Sequence, residues 1–558
     1  VGLTMASGLS GGPLPVRSLS QLSFFDPQFI SPYCLVSGTV PWLLATYRSL
    51  LFPLWLFKGW RGESPLGRRA WPAVVLMTVV LMRWSETGMS VLAAERRIKS
   101  DVVWRAAAGL CFRSPAPSDR LIRDFQSFLS ERHPDCDVPR YELFLGHLAR
   151  LCVEKGVASN PDWVTDSTPM WCYGATLDTI RLLGDGTAIT LRAWARASGQ
   201  SWRTLAKDLT LPWVTAKSTK GHFNVLNWRD KGERARVVTE LAEGALRTVQ
   251  LIRASIETVK PKQRGRLLRH CRTLLKVIED DLEAGEGGKL QVAQGTVRGR
   301  TVSFTDPDAQ HGRKSKSKKF KGFKLHILGD AISGLIASVC VTPAIVHDSE
   351  VCPRLLKQAK QLGAQIERLY GDTAYGNGRN RRLVEGLFSV VLVAPPPPVQ
   401  KPKSGCFGKA DFDVSTDGEM ALCPGGKFSD GKGWYKNSKL LHKQRGHWWT
   451  AKTCEECPIF SACRTKETGR RLIKLAPFEN ETRVARKEWK EPAIRREYRR
   501  RSPGERLVNS LTRRGGRKAA AWGLRTANLQ AHLIAAVVNL RLLAEALTRE
   551  KPSLAQAT

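Results

Sequence analysis

Residues 323–394 contain, in order, FKLHILGD (323–330), AISG (331–334), LIASVCVTPA (335–344), HDSEVCPRLLKQAKQLG (347–363), IERLYGD (366–372), NGRNRRLVEGLF (377–388) and SVVLVA (389–394). The first and third are β-rich runs on either side of a turn signal, which predicts a hairpin. The fourth has the apolar spacing of a helix, and IERLYGD is a short apolar run that closes on an acid. NGRNRRLVEGLF reads as helix and SVVLVA as a strand before the breaker PPPP. Strands and helices in this order predict an α/β fold with a mixed sheet, antiparallel at the hairpin and parallel where helices cross over.

Outward from this block, residues 170–299 are rich in Arg, Leu and Ala at helical spacing, as in ERARVVTELAEGALRTVQLIRASIETVK, and close on GEGGK. They predict a helical insertion. Residues 395–490 form a Cys-containing, loop-rich insertion. The sheet is thus assembled from residues 156–169, 300–394 and 491–545. Residues 66–155 carry helical periodicity, with Ser118 a predicted N-cap, and form a helical N-terminal domain suited to lie against DNA. Residues 1–65 are Gly/Pro-punctuated and poorly patterned.

The chain has 558 residues, room for several domains and at least one large core. Lys and Arg outnumber Asp and Glu by 88 to 51, a net charge of +37. A field of that sign attracts a polyanion, and nucleic acid fits best because the basic residues run through a folded chain. The thirteen cysteines, mostly single and in apolar contexts, fit buried thiols in a reducing cytosol. No secretory signal is evident, and AWPAVVLMTVVLM is too short to span a bilayer. A cytoplasmic, nucleoid-associated protein with no membrane partner is expected.

Three carboxylates carry the chemistry. Asp166 in DWVTDSTPM and Asp372 in IERLYGD each end an apolar run, and Glu505 lies in EYRRRSPGERLVNSLTRR. Tyr498, Arg501 and Glu505 are spaced three and four apart, which on a helix puts them along one face. Two strands that end in aspartates place two oxygen donors at one sheet edge, and a helix crossing that edge supplies the third. Such a cluster can hold two Mg²⁺ ions about 4 Å apart for phosphodiester chemistry, with Mn²⁺ as a substitute. Asp348, Asp306 and Asp308 are rival acids, retained as structural or supporting residues.

With these motifs in view, the chain resembles a DDE transposase of a bacterial insertion sequence, with an RNase H-like catalytic core. The residues that carry the resemblance are VTDST around Asp166, LYGDTAYG around Asp372, and Tyr498-x2-Arg501-x3-Glu505. TDPDAQHGRKSKSKKFKGFKLHILGDAISGLI and GLRTANLQAHLIAAVVNLRLL add to it. The signature of this branch is Tyr-Arg-Glu-Lys; at its lysine position stands Thr512, followed by Arg513 and Arg514. The resemblance implies an enzyme that binds terminal inverted repeats as a dimer on paired ends, cuts the element free, and joins its 3′-hydroxyl ends to target DNA. Asp166, Asp372 and Glu505 would hold the metal ions, and Tyr498 and Arg501 would position phosphates. A nuclease of the same fold and an inactive DNA-binding derivative are the competing readings.

Two further motifs stand out. HGRKSKSKKFKGFK (311–324) brings Arg313, Lys314, Lys316, Lys318, Lys319, Lys321 and Lys324 ahead of a strand, where they can neutralise phosphates without reading sequence. Cys423, Cys454-x2-Cys457 and Cys463 have the ligand number of a structural zinc site, with His442, His447 or Cys406 as substitutes.

Overall fold

A ten-residue strand, Asp162–Trp171 (β1), is the axis of the main sheet. Its other strands are Gln310–Arg313 (β2), Lys319–Asp330 (β3), Ile336–Pro343 (β4), Arg368–Tyr370 (β5) and Val391–Val393 (β6). β3 runs antiparallel to β1, and β4 and β2 pair end to end along the far side of β3. On the other side β5 and then β6 run parallel to β1. The 323–344 hairpin and the two helical crossovers, Asp348–Gln361 and Gly378–Phe388, agree with the sequence reading. The computed structural model describes residues 34–549 except 61–69, 88, 112, 159, 225–226, 228, 295–298, 315–316, 400–405, 416, 438–439 and 464–469. Lys316 and most of the 1–65 segment lie outside the described residues.

The antiparallel edge strand β4 is closed by the C-terminal helix, Leu524–Arg549. Asn539 donates to the Ile336 carbonyl at 2.8 Å and accepts from its amide at 3.0 Å. Asn528 makes the same pair of bonds to Val341, each 2.9 Å. The spacing explains the fit: eleven helical residues rise about 16 Å, the span of about five strand residues. The helix therefore does what a neighbouring strand would do, pairing backbone groups that burial would otherwise orphan. By length and apolar composition it could cross a bilayer, but most of it is buried against β4 and the helices Ala73–Ser85 and Arg140–Glu154.

The predicted N-cap is present, with Ser118 Oγ accepting from the Leu121 amide at the head of Asp119–Leu129. The 66–155 helices do not close a core of their own. Ala73–Ser85 buries ten consecutive residues, so it needs apolar partners all round and finds them in the C-terminal helix and the neighbouring N-terminal helices. The described part of the 1–65 segment joins the same core through Leu43, Leu44 and Leu51. The 170–299 insertion has a separate core, built on the helices Thr179–Ser198, Lys231–Ser255 and Pro261–Asp281.

The 395–490 insertion departs from its loop-rich reading. It holds an antiparallel sheet of Gly431–Asn437, Leu440–Trp449 and Arg471–Leu475. Lysines, arginines and glycines interrupt the alternation that would have marked these strands.

Asn539→Ala removes one donor and one acceptor from the buried Ile336 backbone. We expect a loss of about 2–4 kcal/mol of stability by urea unfolding; a change below about 0.5 kcal/mol would show that the helix does not hold this edge.

Candidate active site

Parallel pairing of β1 with β5 matches Asp162 to Arg368, Trp163 to Leu369 and Val164 to Tyr370. Carried two residues further, the same register sets Asp372 level with Asp166. Side chains alternate along a strand, so the two aspartates fall on one face. Asp166 does not end its strand, contrary to the sequence reading: β1 continues to Trp171, with Asp166 opposite Ile327 of β3. What ends beside Asp166 is β5, and the gap it leaves opens the cleft.

The third acid arrives on the helix Pro503–Leu511, which crosses β1. Gly504 lets the helix sit close: a Cβ there would stand 2.6 Å from Val164 Cγ1 and 3.8 Å from Asp166 Oδ2. Glu505 follows directly. Tyr498, Arg501 and Glu505 do not share one regular α-helix, as their spacing suggested. Pro492–Glu497 is α-helix, Tyr498–Arg501 a 3₁₀ turn, and Pro503 opens the next helix. Proline lacks the amide that a continuous helix would use, and is favoured at a helix start.

Ion pairs fix this turn to the sheet. Glu497 meets Arg368 at 3.0 Å, Arg500 meets Asp162 at 3.0 Å, and Arg501 Nη2 meets Asp166 Oδ2 at 2.9 Å. Tyr498 packs edge-on against Trp489 with ring centres 5.1 Å apart. Asp166 and Arg501 are both largely shielded from water, at 13% and 23% side-chain exposure. Burial pushes the Asp166 carboxyl above its ordinary range. Arg501 and the Ser167 amide pull it back, while Asp372 and Asp348 push it further up.

Asp166, Asp372 and Glu505 line one cleft of about 670 Å³, together with Asp348, Arg313, Lys314, Lys324, Arg501, Arg506, Asn509, Thr512 and Arg517. Asp348, a rival acid in the sequence reading, is the fourth carboxylate here. Lys324 Nζ holds it at 3.0 Å and also donates to the Val346 carbonyl. His326, behind them, bonds Thr342 Oγ1, and burial pushes its pKa down to about 4. Asp306 and Asp308 instead accept from the Gly523 and Leu524 amides, at the head of the C-terminal helix.

Of the predicted cationic residues, Arg313, Lys314, Lys324 and Arg501 line the cleft, and Lys318 and Lys319 are exposed on the β2–β3 hairpin. Lys321 is half-buried on β3, opposite His311. Arg513 and Arg514 are not among the lining residues. Arg514 turns back to the Ser510 carbonyl, because the chain passes through a π-type turn over Thr512–Gly516. Arg506, Asn509 and Arg517 were missed; Arg506 and Asn509 fall one and four residues after Glu505, and that spacing was the available signal.

The donor set suits a hard cation. Its ligands would be carboxylate oxygens, and neither Asp372 nor Glu505 makes an ion pair among the described residues. Asp166 has one only through Arg501. As the side chains stand, no three Asp, Glu, His or Cys groups among the described residues gather closely enough to hold an ion. Arg501 occupies the Asp166 oxygen that would face one.

The protein family described as "Transposase DDE domain" matches residues 422–544. Residues 422–544 are thus similar to a transposase DDE domain. The match includes Glu505 and the residues of the cysteine motif, and the other two predicted acids, Asp166 and Asp372, lie N-terminal to it. No curated protein and no solved structure matches the chain.

The close crossing makes a coupled prediction. Gly504→Ala should destabilise the transposase domain by about 1–3 kcal/mol, because the helix must lift off β1. Val164→Ala in the same protein should recover part of that loss, with a coupling energy of about 0.5–3 kcal/mol. Strictly additive effects would contradict the contact.

Proposed function

We propose that this chain is a DNA transposase of the Tyr-Arg-Glu-Lys branch with an RNase H-like core. It would bind element ends, cut the phosphodiester backbone and join 3′-hydroxyl ends to target DNA. One observation carries this reading: acids from the middle strand, from the end of its parallel neighbour and from a crossing helix line one cleft ringed by Arg and Lys. The strand order β4-β3-β1-β5-β6, with two antiparallel pairings followed by two parallel ones, supports the fold assignment.

Asp166, Asp372 and Glu505 would hold Mg²⁺. When bound, the metal supplies positive charge at the reacting phosphate and eases proton loss from the attacking oxygen. The chain's own residues do the rest. Arg501, Arg506 and Arg517 offer guanidinium groups to phosphate oxygens, and Lys314 and Arg313 hold the strand at the mouth. In cleavage a water oxygen bonds to phosphorus and loses a proton to solvent, while the bond from phosphorus to the 3′ oxygen breaks and that oxygen takes up a proton as it leaves. In joining, the freed 3′-hydroxyl bonds to a target phosphorus and loses its proton, while the target's own 3′ oxygen leaves and takes one up.

Arg501 acts as a counter-charge in this scheme. It pairs with Asp166 in the resting protein, and its guanidinium would be available to a phosphate if a cation took its place on that carboxylate.

The test uses the full chain and a DNA duplex carrying an element end. Asp372→Ala and Glu505→Gln should each lower Mg²⁺-dependent nicking more than about 100-fold, with end binding changed by no more than about twofold. A variant that still cuts would remove that acid from the site. Pre-cut ends separate the transposase from a nuclease, since only the former joins them to target. The double variant Arg313→Ala, Lys314→Ala should weaken DNA binding and lower the slope of log affinity against log salt by about two. An unchanged slope would put the DNA elsewhere.

A further inference from the structure

The cysteine motif lies outside the cleft, and the proposed chemistry makes no use of it. Its four members sit on three separate turns of the 395–490 insertion. Cys423 opens the tight turn Cys423-Pro-Gly-Gly-Lys427, Cys454 ends the one-turn helix Ala451–Cys454, and Cys463 ends the one-turn helix Phe460–Cys463. Cys457 lies between the two helices, with its amide bonded to the Cys454 carbonyl at 3.1 Å. All four line a single pocket of about 20 Å³, together with apolar side chains such as Phe412, Trp449 and Ile459 and with Lys427, Thr453 and Arg471.

We infer that Cys423, Cys454, Cys457 and Cys463 form a structural Zn²⁺ site that staples this insertion together. The turn at Cys423 is shaped for a thiolate. The Lys427 amide points at Cys423 Sγ at 3.3 Å, the Gly426 amide bonds the Cys423 carbonyl at 2.9 Å, and Gly426 takes φ +76°, which favours glycine. Backbone N–H groups aimed at sulfur orient a metal-bound thiolate. Gly425 is required by closeness: a Cβ there would stand 3.0 Å from Cys457 Sγ and 3.7 Å from Cys423 Sγ, filling the space between the two sulfurs.

Four thiols suit either zinc or an iron–sulfur cluster. A pocket of about 20 Å³ is of single-ion size, which favours zinc. No disulfide competes for these sulfurs. The nearby histidine His447 is already engaged, with its ring nitrogens bonded to Ser429 Oγ and the Gly418 carbonyl. As the side chains stand, the four sulfurs are not gathered closely enough to hold an ion, so binding would require rotation about their Cα–Cβ bonds.

The insertion also needs such a staple. Its own core is Phe412, Ala421, Trp449, Ile473 and Leu475 with a few partly buried neighbours, very little for so long a segment. Arg471 holds the Phe407 carbonyl within it, and Arg483, on the helix Glu479–Glu488 that leads to Tyr498 and Arg501, ties it to that helix through the Phe412 and Lys409 carbonyls. This inference does not rest on the proposed reaction, and its test reads metal rather than DNA cleavage.

Full-length protein grown with zinc and desalted should contain about one Zn²⁺ per chain by elemental analysis. Cys457→Ser and Cys423→Ser should each retain less than about a fifth of that, while Cys136→Ser, an exposed cysteine elsewhere, should retain all of it. Should the serine variants fold poorly, the wild type decides: a mercurial should release the zinc in step with about four thiols. Mg²⁺ in excess should leave the zinc in place, since it prefers oxygen ligands. Wild-type protein without zinc, zinc undiminished in both serine variants, or iron with sulfide in its place would each overturn the assignment.

Discussion

The cleft depends on how closely the Pro503–Leu511 helix can cross strand β1. Only a glycine allows the approach at Val164, and the acid that must reach Asp166 is the next residue along. The two neighbouring positions therefore have separate duties, one steric and one chemical. Pro503 sets where the helix begins, and the ion pairs Glu497–Arg368, Arg500–Asp162 and Arg501–Asp166 set its approach to the sheet. The C-terminal helix fixes the opposite margin of the sheet through Asn528 and Asn539, so β1 lies in a frame braced at both sides.

Charge organises the same site. Several carboxylates share a partly buried cleft, which is unfavourable unless positive charge stands among them. Arg501 and Lys324 supply it, one on Asp166 and one on Asp348. Asp372 and Glu505 keep no such partner among the described residues. An arrangement with this imbalance favours a divalent cation, and its entry would release a guanidinium at the place where a phosphate would arrive. The +37 charge of the chain supplies the long-range attraction, and these few residues supply the local order.

Much of this was legible in the sequence, for identifiable reasons. The hairpin and the β-α-β-α-β run from 323 to 394 follow apolar periodicity and turn residues, and the structure keeps them. Asp166, Asp372 and Glu505 stood out because each sits against an apolar run or on a basic helix, and all three reach one cleft. The strand beyond Asp166 was hidden, because Ser167, Thr168 and Pro169 look like a turn although they pair with β3. The sheet at 431–475 was hidden by its lysines and glycines. The shared core of the N-terminal helices could not be read from periodicity, since a helix apolar all round does not say what covers it. The part played by Asp348 depends on Lys324, twenty-four residues away, and only the fold brings the two together.

The cysteine turns and the acid cleft lie in successive parts of one stretch of chain, joined by the helix Glu479–Glu488. An insertion stapled by zinc would give the Tyr498–Arg501 turn a fixed point of departure. The central claim is that Asp166, Asp372 and Glu505 share divalent cations and that Arg501 yields its place to them. Anomalous X-ray diffraction from crystals grown with Mn²⁺ and a DNA end tests it most directly. The account predicts Mn²⁺ peaks among those three carboxylates, with Arg501 displaced from Asp166 onto a phosphate. Mn²⁺ bound elsewhere, with the Arg501–Asp166 pair intact beside the DNA, would contradict it.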